Sequence, residues 1–506
     1  MTDAPRSLSV VCIGAGPAGL TAAYLLGKHG VHATVLEQDP HYVGGISKTV
    51  TYKDFAFDIG GHRFFSKSEA VNELWTELLG DGFLERPRKS RIYYRGRLFD
   101  YPIRIFDALP KLGAFEAARC VGSYLQARVG RAAEPRTFED WVTSRFGRRL
   151  FEIFFKTYTE KVWGMKCSEI SADWAAQRIK GLSLSKAIWH ALKPQRSGQP
   201  RDQVIKTLVH SFRYPRRGPG MLWEETARRI RRQGGEVLLG QRVSALRWDA
   251  AERRWTVLAR APSGDERAFA CDQIISSMPL RELVLACDPA LSPEARLAAE
   301  GLRYRDFLTV ALIVKERNVF DDNWIYIHDP GVKVGRVQNF KSWSPEMVPD
   351  PALACYGLEY FCFEGDGVWR SSDAELVALA GRELAALGLA ARDDILDGAV
   401  VRQKKAYPVY DDSYQHNVAA IRAELEARCP GLHVVGRNGM HKYNNQDHAM
   451  MTAMLTVENI LAGRRAFDVW RVNEDAEYHE EAAAGAPGAG EAAGALASER
   501  LVPLRA

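Results

Sequence analysis

The sequence predicts an α/β fold: a Rossmann-type nucleotide-binding domain assembled from discontinuous segments, accompanied by a mainly helical domain and a mainly β domain. Three observations predict it. Residues up to Glu37 read as strand, glycine turn, helix and strand. Helical periodicity then dominates from about residue 67 to 210, and the alternating patterns of a separate sheet run from about 300 to 410. A short buried-strand pattern, "GLHVVGRNGM", finally returns near residue 432 and leads into a helix, as if the chain re-enters its first domain. A chain of 506 residues is too long for one core. The expected boundaries are 1–66, 212–285 and 430–470 for the nucleotide-binding domain, 67–211 for the helical domain and 286–429 for an antiparallel-sheet domain. The Ala/Gly-rich tail 471–506 is expected to be disordered.

In order, "SLSVVCIGAGPAGLTAAYLLGKHGVHATVLEQD" supplies the first unit. Gly14 makes a tight turn, Gly16 lets backbone approach a pyrophosphate, and Gly19 lets helix and strand pack closely. Glu37 ends the second strand, where an acidic residue binds ribose hydroxyls. Paired glycines follow, Gly44-Gly45 in "VGGISKT" and Gly60-Gly61 in "FDIGGHRFF", and allow backbone to approach a bulky ligand. In "RRLFEIFFKTYTEKVWG", Phe151, Phe154, Phe155, Tyr158 and Val162 fall on one apolar helix face. Trp163 points about 140° away from Tyr158 and Gly164 ends the helix, so Trp163 is expected off the core stripe. "EVLLGQRVSALRW", "RWTVLARA" and "DQIISSMP" alternate like strands, as do "DFLTVALIVK", "NWIYIHDP", "VGRVQNFKSW" and "ACYGLEYFCF". A helix is expected from about Asp447 to Leu461, with Asp447 as its cap.

Composition excludes several functions. The chain is 46% hydrophobic and 26% charged with a net charge of +5, which suits local basic pockets for anions and argues against a nucleic-acid binder. Its 8 cysteines are scattered without a CxxC pair, as in reduced cytoplasmic proteins, and give no zinc site. His441, Asp447 and His448 lack a sustained metal-ligand spacing, so no metal is expected, and Cys167 is expected as a buried thiol. The apolar N-terminal run carries glycines and a proline at the offsets of a strand-turn-helix, so no membrane span is expected and the protein is placed in the cytoplasm.

The combination of GxGxxG, acidic strand end, GG and "DIGGH" resembles the FAD domain of amine-oxidase and glutathione-reductase-like flavoproteins. Within that group, "YTEKVWG", "DIGGHRFFS", "ADWAAQRIK", "VGRVQNF", "KKAYPVY" and "GRNGMHKYNNQDH" resemble, in order, motifs of the UDP-galactopyranose mutases. The resemblance implies FAD held by Gly14, Gly16, Gly19, Glu37, Gly44, Gly45, Gly61, His62, Val243, Gly436 and Asp447. It implies a substrate site of Tyr158, Trp163, Arg178, Arg336, Tyr407, Arg437 and Tyr443, with Arg178 and Arg336 catalytic and Trp163 facing the cleft. The implied reaction interconverts pyranose and furanose forms of an NDP-hexose without net redox change. Reduced flavin N5 acts as nucleophile at the anomeric carbon, and NAD(P)H or another reductant serves only to prime the flavin.

The residue types suit that chemistry. A nucleoside diphosphate carries about two negative charges, and guanidinium groups match phosphate oxygens. Taken singly and without the resemblance, each arginine reads rather as half of a structural salt bridge. The sequence departs from the family where a second histidine commonly follows "GGH"; here that position is Phe65. The segment between Arg178 and "FRYPRRGPG" is longer and more basic than the family pattern, which leaves uracil or guanine as the base and the sugar open. An FAD-dependent oxidase or desaturase of the amine-oxidase or protoporphyrinogen-oxidase kind is the alternative, with a non-catalytic relative of the GDP-dissociation-inhibitor type behind it. A homodimer is the expected assembly.

Overall fold

The computed structural model describes residues 8–101, 103, 105–129, 135–172 and 211–473. Its central layer is a five-stranded parallel sheet drawn from distant parts of the chain. The strand order is Leu432–Val434, Gln273–Ser276, Val10–Ile13, Ala33–Leu36 and Glu236–Leu238. The unbroken apolar run Val10–Ile13 is what a strand covered on both faces requires. Val10 and Cys12 pack into one core with the helices Pro17–Lys28, Gly220–Arg232 and Gln446–Leu461. Val11 and Ile13 pack into the other, with Leu280, Leu283 and Ile421.

Arg242–Asp249, Arg254–Arg260 and Glu266–Cys271 form an antiparallel sheet of their own, with Cys287–Asp288 alongside. The largest sheet has seven strands. Its order is Ile395–Pro408, Tyr304–Lys315, Leu353–Cys362, Arg336–Asn339, Trp324–Ile327, Ser90–Tyr94 and Arg97–Asp100. The last two come from the stretch read as mainly helical. Their alternation, "SRIYYRGRLFD", is only a few residues long and lies between helical stretches. Ser90–Tyr94 joins in parallel to Trp324–Ile327, so the sheet is mixed where an antiparallel one was expected.

The helix carrying "YTEKVWG" differs from its expected phase. Glu152–Lys156 is a π-turn between Arg148–Phe151 and Thr157–Trp163. Such a turn adds about one residue and rotates everything downstream by roughly 100°. Sequence periodicity assumes a constant 3.6-residue turn and puts Tyr158 on the core stripe with Trp163 off it. The structure has the reverse. Trp163 is 5% exposed, in a core with Phe138, Phe151 and Phe154, while Tyr158 is turned toward the large sheet. Gly164 ends the helix in the left-handed region at φ +61°.

Candidate active site

One half of the site is backbone. Gly14 has φ +94°, and a side chain at Gly19 would overlap the Gly14 carbonyl oxygen, so turn and helix meet as only glycines allow. The helix starting at Pro17 has Gly16 as its N-cap and no side-chain cap, which leaves first-turn N–H groups for an anion. Gly45 faces this turn, a Cβ there lying 3.3 Å from the Gly16 Cα, and the Gly44 N–H donates to the Ala15 carbonyl at 2.7 Å. Glu37 is buried and accepts from the Ala15 N–H at 2.7 Å and the Asp39 N–H at 2.8 Å. Burial raises its pKa against those two bonds. The uncapped helix start, the facing glycines and the carboxylate at the strand end fit a dinucleotide.

Gly436 (φ +77°) closes the far side of this loop, with a would-be Cβ 3.1 Å from the Ala18 Cβ. Its N–H donates to the Thr452 hydroxyl at 3.0 Å. Val243 packs half-buried on the second core beside an irregularity in its strand. Asp447 is not the cap of its helix. Asn445 is, in a capping box with His448, and Asp447 sits buried in the first turn with its pKa pushed up to about 7 by burial.

The other half is side chains, and sheet register assembles it. Arg336 lies directly opposite Tyr326 on one neighbouring strand and Glu359 on the other. Its guanidinium donates to the Glu359 carboxylate, which is wholly buried and also takes the Gln338 amide. Burial alone would pull the Arg336 pKa down, but the Glu359 charge with the neighbouring tyrosines outweighs it and raises the pKa well above its ordinary value, so the guanidinium stays protonated. Tyr158 lies parallel to the His328 ring at 5.1 Å and edge-on to Tyr326 at 5.2 Å. Burial keeps its hydroxyl protonated, and Arg336 and Tyr407 are among its electrostatic neighbours. Tyr407 stacks on Tyr443 at 5.5 Å and 16°. The Arg437 guanidinium lies 4.6 Å from the Tyr443 ring centre and 5.4 Å from that of Tyr407. It donates to the Asn444 and Ala406 carbonyls at 2.9 and 3.0 Å.

His62 joins the two halves. Its Nδ1 lies 3.0 Å from the Gly60 carbonyl, which places the proton on Nδ1 and leaves Nε2 as an acceptor. Burial, with the Arg437 and Arg336 charges, pushes its pKa down to about 3, so the ring is neutral. Gly61 lies against Trp343, where a Cβ would sit 3.2 Å from the indole.

Tyr158, Arg336, Tyr407, Arg437, Tyr443 and His62 thus come together. Trp163 is buried in the helical core, against which Tyr326 and Tyr443 also pack. Arg178 lies outside the described residues. Phe65 packs half-buried on the core of Phe55 and Phe57. Arg216 of the basic turn pairs with Glu346 at 2.7 Å at the surface. Sequence reasoning missed Glu359, Gln338, Tyr326 and His328. The signal for Glu359 was in "ACYGLEYFCF": one carboxylate in a wholly apolar strand demands a buried partner.

The backbone half of this site fits a dinucleotide, and the comparisons with known proteins give the family. Residues 17–461 match the model of the flavin containing amine oxidoreductase family, and the chain belongs to that family, whose cofactor is FAD. It is similar to the probable UDP-galactopyranose mutase of Klebsiella pneumoniae, 29% identical over 178 residues, a match spanning 33% of this chain and 43% of that protein. The crystal structure of reduced UDP-galactopyranose mutase superposes with a TM-score of 0.76 at 22% identity, covering 90% of this chain and 94% of that one. Putrescine oxidase bound to putrescine superposes at 0.58 and 18% identity, covering 90% and 100%. No helix among the described residues is long and apolar enough to cross a membrane.

Proposed function

We propose that the protein is a flavin-dependent nucleotide-sugar mutase that interconverts the pyranose and furanose forms of an NDP-hexose, UDP- or GDP-linked. The parallel-sheet unit is read as a Rossmann-type, glutathione-reductase-like FAD domain, with the seven-stranded sheet and the helices as the substrate side. The observation that carries the reading is the cluster of two guanidiniums and three tyrosines beside His62. An amine or porphyrinogen substrate calls for an apolar lining, whereas a leaving diphosphate calls for fixed cations and hydroxyl donors.

Reduced FAD supplies the nucleophile for the anomeric carbon, with NAD(P)H or another reductant needed only to prime it. The chain's own residues hold the rest of the substrate. Arg437 has no carboxylate partner among the described residues, so its charge is available to the diphosphate. Arg336, fixed by Glu359, offers its remaining N–H groups in one orientation, and Arg178 is assigned with it to the departing diphosphate. The hydroxyls of Tyr158, Tyr407 and Tyr443 are the neutral donors, and His62 Nε2 is the acceptor facing the sugar.

The test incubates the FAD-loaded protein with UDP- and GDP-hexopyranoses, with flavin oxidised and with flavin chemically reduced. Anion-exchange chromatography then looks for an isobaric nucleotide sugar. Product from reduced enzyme alone supports the mutase and names the base. Absence of product, with flavin reduction by an amine or porphyrinogen, replaces it by the oxidase reading that the likeness to putrescine oxidase keeps in view.

A further inference from the structure

Helix Thr157–Trp163 turns Tyr158 toward the large sheet because the π-turn Glu152–Lys156 stands before it. Such turns are rare, and a widened turn leaves its carbonyls short of well-aligned donors, so its persistence calls for support from outside the helix. His328 is placed to give it. It follows strand Trp324–Ile327, and its backbone N–H donates to the Tyr93 carbonyl at 2.9 Å. The carbonyls on either side of it, of Ile327 and Asp329, both accept from Lys161 of that same helix. The side chain is buried.

Two contacts run from its ring. One face lies on Tyr158, with centroids 5.1 Å apart and planes within 5°. One ring nitrogen donates to the carbonyl of Ile153, inside the π-turn. Nδ1 has no partner among the described residues, so the donor is Nε2. Burial, with the Lys161 charge, pushes the pKa down to about 3, so the ring is neutral and carries that one proton. Tyr326, two residues earlier on the same face, meets Tyr158 edge-on at 5.2 Å. A flat ring with a single N–H thus satisfies a carbonyl of the π-turn and covers the tyrosine that follows it. An aliphatic side chain does neither.

We propose that His328 is a positioning residue that holds the π-turn, and with it the phase of helix Thr157–Trp163, so that the Tyr158 hydroxyl is presented to the site. It acts through Tyr158 and not on the substrate. The effect on turnover rests on the mutase reading; the effect on the helix does not.

The experiment uses the full-length, FAD-loaded protein with His328→Phe, which keeps a stacked ring and loses the N–H, and His328→Gln, which keeps an N–H donor and loses the ring. Amide hydrogen exchange across residues 148–163 should be about tenfold or more faster in His328→Phe and within about threefold of wild type in His328→Gln, with the parallel sheet unchanged in both. Turnover of nucleotide sugar should fall on the order of tenfold in His328→Phe, and combining it with Tyr158→Phe should cost no more than Tyr158→Phe alone. A residue that only stabilises the fold would add its loss to that of Tyr158. Where His328→Phe does not fold, His328→Gln carries the test, since its exchange should stay near wild type. Faster exchange as expected, with no turnover in the reduced wild type, supports the positioning and removes the mutase reading. Unchanged exchange in His328→Phe, equally fast exchange in His328→Gln, or additive losses of turnover overturns the proposal.

Discussion

The proposed cofactor side and the proposed substrate side of the candidate active site are built from different materials. The first is backbone: Gly14, Gly16, Gly19, Gly44 and Gly45 bring chain against chain, and Glu37 alone adds a charge. The second is side chain: Tyr158 comes from a helix, Arg336 and Tyr407 from strands, Arg437 and Tyr443 from the approach to the last helix. A backbone site fails by steric overlap, all or none. A side-chain site fails by degrees, because each group has neighbours that take up part of its role. Perturbing each side tests that contrast.

The largest effect should come from Gly19→Val. Its side chain would occupy the space of the Gly14 carbonyl, which is backbone and has nowhere to go. A loss of about 4 kcal/mol or more is expected in denaturant titration, together with colourless protein. A yellow, stable Gly19→Val protein would show that the turn is not built as described.

Next is the ion pair. Glu359→Ala leaves Arg336 charged, buried and without its carboxylate, a loss of about 3–5 kcal/mol. Replacing both, Arg336→Met with Glu359→Ala, should recover much of that stability while nucleotide-sugar turnover stays absent. Flavin content should survive in the double variant, unlike in Gly19→Val. If the double variant is no more stable than the single one, the pair is not a closed electrostatic unit.

How much of this was legible in the sequence follows the same division. Gly14, Gly16, Gly19 and Glu37 sit within one strand-turn-helix-strand, and local geometry alone relates them. Arg336 and Glu359 become neighbours only through strand register, 23 positions apart, and no local pattern states that register. Tyr326 and His328 were hidden for the same reason. The phase of Tyr158 and Trp163 was misread because a π-turn leaves no mark on apolar periodicity. Arg437 and Tyr443 were named through motif resemblance, and their stacking with Tyr407 emerges only when the last helix folds back onto the large sheet.

A smaller effect isolates how the Tyr158 helix is anchored to that sheet. Lys161 donates to the carbonyls of Ile327, Asp329 and Val334 at 3.3, 2.6 and 3.1 Å, and burial pushes its pKa down to about 8. Between pH 8 and its ordinary value near 10.5 the unfolded chain therefore holds the proton more tightly than the folded one. Unfolding free energy from this group should rise with pH across that window and be lowest below pH 8. Compared with Lys161→Met, wild-type protein should gain about 2 kcal/mol of relative stability from pH 7.5 to 10.5 in denaturant titrations. A flat difference would mean that the amine keeps its ordinary pKa in the folded protein and that burial does not penalise its charge.

The smallest effect separates packing from catalysis at the residue whose side of the helix was misjudged. Trp163→Phe keeps an aromatic ring in the core of Phe138, Phe151 and Phe154 and removes only part of the indole volume. A loss of about 1–2 kcal/mol is expected, set by how far the core closes over the gap. Turnover of nucleotide sugar and its KM should stay within about twofold, because a group that does not touch substrate has no transition-state interaction to lose. Tyr158→Phe, one turn away on the opposite side, should do the reverse. Stability should change little, and turnover should fall on the order of tenfold through loss of a hydroxyl donor to a charged oxygen. If Trp163→Phe instead removes activity at unchanged stability, the indole leaves the core when substrate binds, and the helix changes phase during the catalytic cycle.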